Sequence, residues 1–431
     1  MIPIVTYSER DTRLHAILNR QAAFSPEVDA SVRVILDRVR SEGDRALADF
    51  TEQFDGVRPA ALRVSDEDRQ AAYRNLDPAF LDILSEAAGN IRRFHEGQRR
   101  QSWFMEEGDG VILGQRVLPL ERVGLYVPGG KAFYPSSLLM NAIPAQVAGV
   151  PEIHLVSPPG PNGLPHASVL ATAQLLGLER IYSVGGAQAI AGLAYGTDTI
   201  PRVDKIVGPG NAYVAAAKKQ VYGRVAIDSI AGPSEIVVLA DAAADPEFVA
   251  ADLLSQAEHD ERASAILVTP SEALARNVRD QIERMVPRLS RRAIIEPSLA
   301  DFGALVVTET MDQAVSMVNE LAPEHLELLV LDPWALLPRI RHAGAVFLGP
   351  YSTEPVGDYF AGTNHVLPTG GTARYASALG VDDFVRKQSI VSYTRERLAA
   401  TGPRIVRFAR EEELTAHALA VQVRLDRESG D

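Results

Sequence analysis

From Val123 to about residue 382, short runs rich in β-branched residues alternate with helix-length segments rich in Ala and Leu. The short runs are VGLYVPGG, IHLVSPPG, RIYSVGG, DKIVGPGN, EIVVLAD, SAILVTP, GALVVTE, HLELLV and AVFLG. Such alternation favours parallel sheets, because a right-handed helical crossover joins each strand to the next. The sequence therefore predicts an α/β fold of doubly wound sheets. Because the pattern restarts after Asp241, we expect two similar, incomplete Rossmann-like modules.

Helix signals and the strand pattern together suggest the domain boundaries. Ser25 followed by Pro26, and Asp77 followed by Pro78, have the cap-then-proline order of helix starts. We expect an N-terminal helical segment (1–24), a first α/β module with N-terminal helices (25–122 plus 239–382), a second α/β module (123–238) and a C-terminal helical segment (383–431). The last helix has an apolar stripe that could pack on its own domain or on another subunit: Leu414, Ala418, Val421 and Leu425.

Composition excludes several classes of function. With 43 Lys and Arg against 56 Asp and Glu, the net charge of −13 argues against nucleic acid and anionic membranes as partners. There is no apolar stretch of membrane-spanning length and no secretory signal at the N-terminus, so we expect a cytoplasmic protein. The chain has no Cys, which excludes disulfides and thiolate chemistry. Any metal must be bound by His, carboxylate, amide or water.

Three Gly-rich turns follow predicted strands, at 126–130, 185–188 and 208–211. In doubly wound sheets, ligands bind beyond the carboxyl ends of strands, where Gly lets backbone N–H groups approach them. The dinucleotide motif with three glycines is absent, since GPGNAY at 208–213 lacks the third Gly. From the residues alone, ordinary strand-to-helix turns are the favoured explanation, since Gly is common wherever such a turn needs positive φ.

The segment SQAEHD places Gln256 and His259 three residues apart, on one face of a helix end. This spacing is common for two ligands of one metal, although a polar helix end looks the same. Carboxylates are better zinc ligands than amides, so chemistry alone favours Glu258 or Asp260 over Gln256.

Two later segments carry further polar groups. The turn-rich GDYFAGTNHVLPTGG contains Asp358 and His365, and such loops often carry function. Glu324 and His325 directly precede the apolar run HLELLV, so both side chains could face one cleft as an acid/base pair.

Taken together, SQAEHD, APEHLEL, GDYFAGTNHVLPTGG, AGPSEIVVLAD, VGLYVPGG and the LTAH of the last helix resemble the histidinol dehydrogenase family from Met1 to the last helix. The resemblance implies zinc-dependent oxidation of L-histidinol to L-histidine through L-histidinal. Two NAD molecules are reduced, in the final steps of histidine biosynthesis. It also implies a homodimer with one zinc ion per subunit.

The resemblance further assigns roles to individual residues. The implied zinc ligands are Gln256, His259 and Asp358 of one subunit with His417 of the partner subunit, which overrides the preference for Glu258. Substrate contacts are implied for Ser234, His365 and Glu412, together with His325 and the zinc ligands. NAD contacts are implied for Tyr126, Gln188 and Asn211, which makes 123–238 the cofactor-binding module and 383–431 a dimerisation segment.

Oxidising an alcohol requires a base for its hydroxyl proton, and an imidazole of pKa about 6.5 suits that step. We therefore assign His325 to it. The aldehyde must then be hydrated before a second hydride can leave, and the neighbouring Glu324 is placed to activate that water. By resemblance, zinc orients the substrate through its amine and imidazole.

Without the family resemblance, two other classes fit the residue types. A zinc hydrolase would use the same ligands with Glu324 as general base, but would have no use for the three Gly-rich turns. A non-catalytic α/β binding protein would not need an acid/base cluster. The ligand types would also accept manganese or cobalt.

Overall fold

The computed structural model describes residues 2–7, 26–129, 134–230 and 232–427. The chain divides into two compact units. The larger unit comprises Met1–Gln98 and Leu120–Phe384, and the smaller unit comprises Arg99–Pro119 and Val385–Asp431. No helix in the described ranges is long and apolar enough to cross a membrane.

Fourteen strands occur in the described ranges. They are β1 (Ile4–Thr6), β2 (Trp103–Glu107), β3 (Val111–Pro119), β4 (Arg122–Tyr126), β5 (Glu152–Ser157), β6 (Arg180–Ser183), β7 (Lys205–Val207), β8 (Ala226–Ile227), β9 (Glu235–Ala240), β10 (Ser264–Thr269), β11 (Ala304–Val307), β12 (His325–Leu329), β13 (Ala345–Leu348) and β14 (Val385–Ser392).

The α-helices of the same ranges are α1 (Pro26–Glu42), α2 (Asp44–Asp55), α3 (Asp66–Asn75), α4 (Pro78–Glu96), α5 (Pro135–Ala148), α6 (Ala167–Leu175), α7 (Gly186–Tyr195), α8 (Ala212–Val221), α9 (Pro246–Ala257), α10 (Glu272–Met285), α11 (Arg292–Phe302), α12 (Met311–Leu321), α13 (Pro333–Leu336), α14 (Glu354–Val356), α15 (Arg395–Glu411) and α16 (Thr415–Asp426). A π-helical turn spans Gly357–Ala361.

The larger unit contains two parallel sheets. One has five strands in the order β6-β5-β4-β7-β8, and the other has six in the order β1-β11-β10-β9-β12-β13. Numbered along the chain, both follow 3-2-1-4-5, and β1 adds an edge strand to the second sheet. This order is that of an incomplete Rossmann-like sheet, so the predicted pair of doubly wound modules is confirmed.

Helix starts agree with the capping signals where the structure describes them. The Asp77 side chain accepts the Ala79 N–H, and Pro78 begins α4. Asp245 accepts the Glu247 N–H in the same way, with Pro246 first in α9. These aspartates satisfy N–H groups that have no partner within the helix. Pro26 begins α1, whereas its predicted cap, Ser25, lies outside the described residues.

The grouping of elements differs from the predicted boundaries in several respects. Within the segment 1–24, expected to be helical, residues 4–6 form β1 and pair with β11, while 8–24 lie outside the described residues. Strand β9 forms the centre of the six-stranded sheet, although the boundary at 238/239 would split it. Helices α1 and α2 pack on the five-stranded sheet, where Val32 and Leu47 share a core with Ile190.

The smaller unit has an antiparallel sheet in the order β14-β3-β2, together with α15 and α16. The segment 383–431, expected to be helical, therefore includes a long strand that pairs along β3. Part of the predicted apolar stripe packs inside this unit, since Ala418 and Val421 contact Val406 and Ala409 of α15. Leu414, which directly precedes α16, and Leu419 and Val423 within it have exposed apolar side chains.

Candidate functional site

Several predicted site residues meet at the amino edge of the six-stranded sheet. His325 begins β12, and Ser234 directly precedes β9, which pairs with β12. Helix α9 follows β9 and runs back to that edge. Its last turn brings Gln256 there, and His259 follows directly after the helix. The site lies beside β9 and β12, the neighbouring strands from which the strand order runs outward in both directions.

Metal-binding atoms converge here. Ligand atoms of His259, Glu354 and Asp358 all lie within 4.8 Å of one another. Gln256 is fully buried, and its Oε1 has no hydrogen-bond partner among the described residues. Its Nε2 lies 3.3 Å from His259 Nδ1, which leaves His259 Nε2 for another contact. Nitrogen and hard oxygen donors of this kind fit zinc, manganese or cobalt.

Glu354 is a member of this group that the sequence analysis missed. It begins the three-residue helix α14, and Asp358 follows in the π-helical turn. The two carboxyl groups are four residues apart, a spacing that places them on one helical face. That spacing was the available signal, and π-helical turns recur at functional sites.

His325 is 3% exposed, and each ring nitrogen faces a different group. Nδ1 lies 3.1 Å from the Glu235 carbonyl oxygen, which makes it the protonated nitrogen of the neutral ring. Nε2 lies 3.7 Å from Asp358 Oδ1 and 4.0 Å from Glu354 Oε1. No described residue hydrogen-bonds Nε2, so it is available to a ligand.

Glu324 is the second buried acid/base group. Its Oε2 accepts the Glu235 N–H at 2.9 Å and lies 3.8 Å from His325 Nδ1. Burial raises the pKa of Glu324 to about 8, against the effect of the neighbouring imidazole. For His325, burial lowers the pKa, but the carboxyl groups around it outweigh that effect and raise it to about 10. The neighbouring carboxyl groups thus favour the protonated imidazolium of His325, and burial favours the protonated acid of Glu324.

The remaining residues predicted to contact metal or substrate differ in burial and in position. His365 Nδ1 lies 3.1 Å from the Asp358 carbonyl oxygen, next to the metal-binding group. Ser234 is half-buried beside Glu235. His417, in the first turn of α16, and Glu412, at the end of α15, are both exposed and belong to the smaller unit.

A second site is a cavity of about 1280 Å³ at the carboxyl ends of the five-stranded sheet. Tyr126, Gln188 and Asn211 all line it, so the three Gly-rich turns do meet. Gln188 is 1% exposed, and neither of its amide atoms has a hydrogen-bond partner among the described residues. The cavity exceeds the roughly 300–1000 Å³ of sites for drug-sized ligands and has room for a dinucleotide.

Two sets of hydrogen bonds hold the turns around this cavity. The Gly208 N–H donates to Asp228 Oδ2 at 2.7 Å, and Lys218 Nζ donates to the Gly208 carbonyl at 3.0 Å. Lys218 and Asp228 also form a buried ion pair. The Tyr126 hydroxyl accepts the Gly186 N–H at 3.1 Å. These bonds hold backbone groups of two turns at the cavity.

If NAD occupies this cavity, as the sequence resemblance implies, Gly208→Ala is expected to weaken its binding by at least about tenfold, or ~1.4 kcal/mol. Gly208 has φ +115°, and a Cβ there would collide with the Tyr126 backbone carbonyl. Gly223→Ala is the matched control, because its φ is +95° but a Cβ would meet no atom within 4 Å. Both substitutions incur backbone strain of about 1–2 kcal/mol, and only the first disturbs the cavity. Equal NAD affinities in fluorescence titrations of the two variants would contradict this.

A doubly wound α/β fold with a glycine-lined cavity and a separate, buried histidine–carboxylate site is typical of an α/β enzyme. The family model of histidinol dehydrogenase matches residues 18–425. A histidinol dehydrogenase of Halalkalibacterium halodurans is 59% identical over 398 residues, covering 92% of this chain and 94% of that protein. One from Chlorobaculum tepidum is 53% identical over 425 residues, covering 99% of each. The crystal structure of histidinol dehydrogenase from Elizabethkingia anophelis superposes with a TM-score of 0.94 at 38% identity over 100% of both chains. The chain belongs to the histidinol dehydrogenase family.

Proposed function

We propose that this enzyme oxidises L-histidinol through L-histidinal to L-histidine, with zinc at the histidine–carboxylate site and two NAD reduced per substrate. The observation that carries the proposal is the convergence of His259, Glu354 and Asp358 beside the free Nε2 of His325. One compact site thus combines metal ligands with a base, as an amino alcohol with an imidazole side chain requires. Family membership supports the choice of substrate.

The residues that would hold the metal are Gln256, His259 and Asp358, completed by His417 of the partner subunit. The unpartnered Gln256 Oε1 supports the fit, since a buried amide oxygen is costly without a partner. Glu354 lies close enough to bind either the metal or the substrate amine. A zinc ion here would supply a Lewis acid for the amine and imidazole nitrogens of the substrate and would thereby orient it.

His325 is the proposed base for the alcohol. Its Nδ1–H is oriented by the Glu235 carbonyl. A cation held by Asp358 and His259 would offset the carboxylate charge that favours the imidazolium, so that Nε2 of the neutral ring can accept the hydroxyl proton. Glu324 is the proposed base for hydration of the aldehyde, because burial raises its pKa and makes its carboxylate a stronger base. Keeping both groups in one site avoids release of the reactive aldehyde.

The cavity of the five-stranded sheet is the proposed cofactor site, with Tyr126, Gln188 and Asn211 as contacts. Helices α7 and α8 begin at its edge, and helix N-termini favour the anionic pyrophosphate. NAD would supply the acceptor for the hydride released in each oxidation.

We further propose a homodimer in which α16 carries His417 to the partner's site, with Ser234, His365 and Glu412 contacting the substrate. The exposed Leu419 and Val423 on α16 support an interface there. We also propose that the α/β module of 123–238 binds the cofactor, that the smaller unit forms the dimer contact, and that the protein is cytoplasmic.

Limiting L-histidinol, mixed with zinc-loaded enzyme and excess NAD, is expected to yield about two NADH per substrate molecule. Absorbance of reduced nicotinamide, followed to completion, measures the yield. One NADH per histidinol would mean that the aldehyde is released, and would remove the role proposed for Glu324. No NADH with metal confirmed bound would favour the hydrolase alternative.

A further inference from the structure

Two buried carboxyl groups lie behind the metal-binding residues and have no part in the proposed reaction. Glu327 is fully buried on β12, and Asp252 is 8% exposed on α9. Glu327 stands two residues after His325, so both side chains lie on the same face of the strand. Asp252 stands one helical turn before Gln256, again on a shared face. Each acid thus lies on the same strand or helix as a site residue.

Both acids hold the segment that carries Glu354. Glu327 Oε1 accepts the Glu354 N–H at 2.8 Å. Asp252 Oδ1 accepts the Thr353 hydroxyl at 2.7 Å. Helix α14 has only three residues, too few to maintain its own position. The place of Glu354 therefore depends on these contacts with the neighbouring strand and helix.

The two acids also interact with each other. Glu327 Oε2 accepts no hydrogen bond from the described residues. The carboxyl group beside Glu327 is that of Asp252. Burial raises the pKa of both groups, and the proximity of Asp252 raises that of Glu327 further, to about 10. A proton shared between them agrees with this placement, because two buried carboxylates side by side would repel each other. A neutral group at position 327 is thus compatible with the surroundings.

We propose that Glu327, together with Asp252, is a positioning residue of the metal site. It joins β12, α9 and the 353–358 segment, so that Glu354 and Asp358 face His259 and His325. The inference rests on the proposed function, since it assumes that these residues bind a metal. It adds that the geometry of the site is determined by a hydrogen bond to the Glu354 backbone.

The test compares Glu327→Leu with Glu327→Gln in the full-length enzyme. Gln retains the shape and an oxygen for the Glu354 N–H, whereas Leu retains only bulk. Glu327→Leu is expected to lose about 10- to 100-fold in zinc affinity, the range for residues that orient metal ligands. Glu327→Gln should rescue most of that loss. Zinc affinity is measured by chelator competition, and the visible spectrum of the cobalt-loaded protein reports ligand geometry.

Leu267→Ala, in the core of the same sheet on β10, controls for general destabilisation. It should lower the melting temperature and leave zinc affinity and the cobalt spectrum unchanged. If Glu327→Leu does not fold, Thr353→Val is tested in its place. It removes the hydroxyl group that donates to Asp252, and a loss of zinc affinity is again expected.

Wild-type zinc affinity in a folded Glu327→Leu, or in Thr353→Val where Leu does not fold, would overturn the proposal. So would a Gln variant as impaired as Leu, because the charge and not the hydrogen bond would then matter. Failure of the proposed function is seen separately, as absence of zinc binding or histidinol oxidation in the wild-type enzyme.

Discussion

Glu324→Gln is expected to slow oxidation of the aldehyde by about 10²- to 10⁴-fold, the contribution typical of a general base, and to slow the alcohol step far less. The substitution keeps the shape and an acceptor for the Glu235 N–H, but it removes the buried group whose pKa is raised to about 8. His325, the proposed base of the alcohol step, remains in place. Single-turnover rates of NADH formation, begun from L-histidinol and separately from L-histidinal, distinguish the two steps.

The control is Glu320→Gln, which changes an exposed carboxylate on α12 and should leave both rates unchanged. Equal losses in the two steps of Glu324→Gln would refute the division of labour between Glu324 and His325. The imidazole would then have to serve the whole reaction.

His259→Ala is expected to remove the metal, with an affinity loss greater than the roughly 10- to 100-fold found for residues that only orient ligands. His259 contributes the nitrogen atom among the converging metal-binding atoms, and Glu354 and Asp358 contribute carboxylate oxygens. Substrate oxidation should fall with metal content. Metal per chain, measured by atomic emission after gel filtration, provides the readout.

Glu258→Gln is the informative control, because local chemistry favours Glu258 as a ligand, whereas it does not belong to the converging group in the described structure. It should retain the metal. A Glu258→Gln protein without metal, or a His259→Ala protein with full metal, would contradict the proposed ligand set.

The two sites occupy opposite edges of their sheets, although the sheets have the same strand order. The carboxyl-end rule agrees with the position of the cavity lined by Tyr126, Gln188 and Asn211. It does not describe the histidine–carboxylate site, where His325 begins its strand and His259 follows a helix that has run back to the amino edge. Motifs from strand starts and helix ends therefore meet, because successive elements of a crossover run in opposite directions.

Much of the fold could be predicted from the sequence because its signals are local. The alternation of β-branched runs with helical stretches predicted every strand of both sheets from Val123 onward except the two-residue β8. The Asp77–Pro78 pair predicted the start of α4, since a cap needs only its own first turn. Strands β1, β2, β3 and β14 were missed. Of these, β1 and β14 lie in segments where helix was expected and pair with strands distant in sequence.

The sequence by itself determined the fold class, the Gly-rich turns and most of the chemically active residues, because these depend on residue type and short-range spacing. Only the tertiary structure decided which of them meet. It placed β9 in the six-stranded sheet, brought Glu354 to Asp358 and His259, and set Glu327 behind them. Residues far apart in sequence approach through the packing of strands and helices, and no local pattern records how those elements pack.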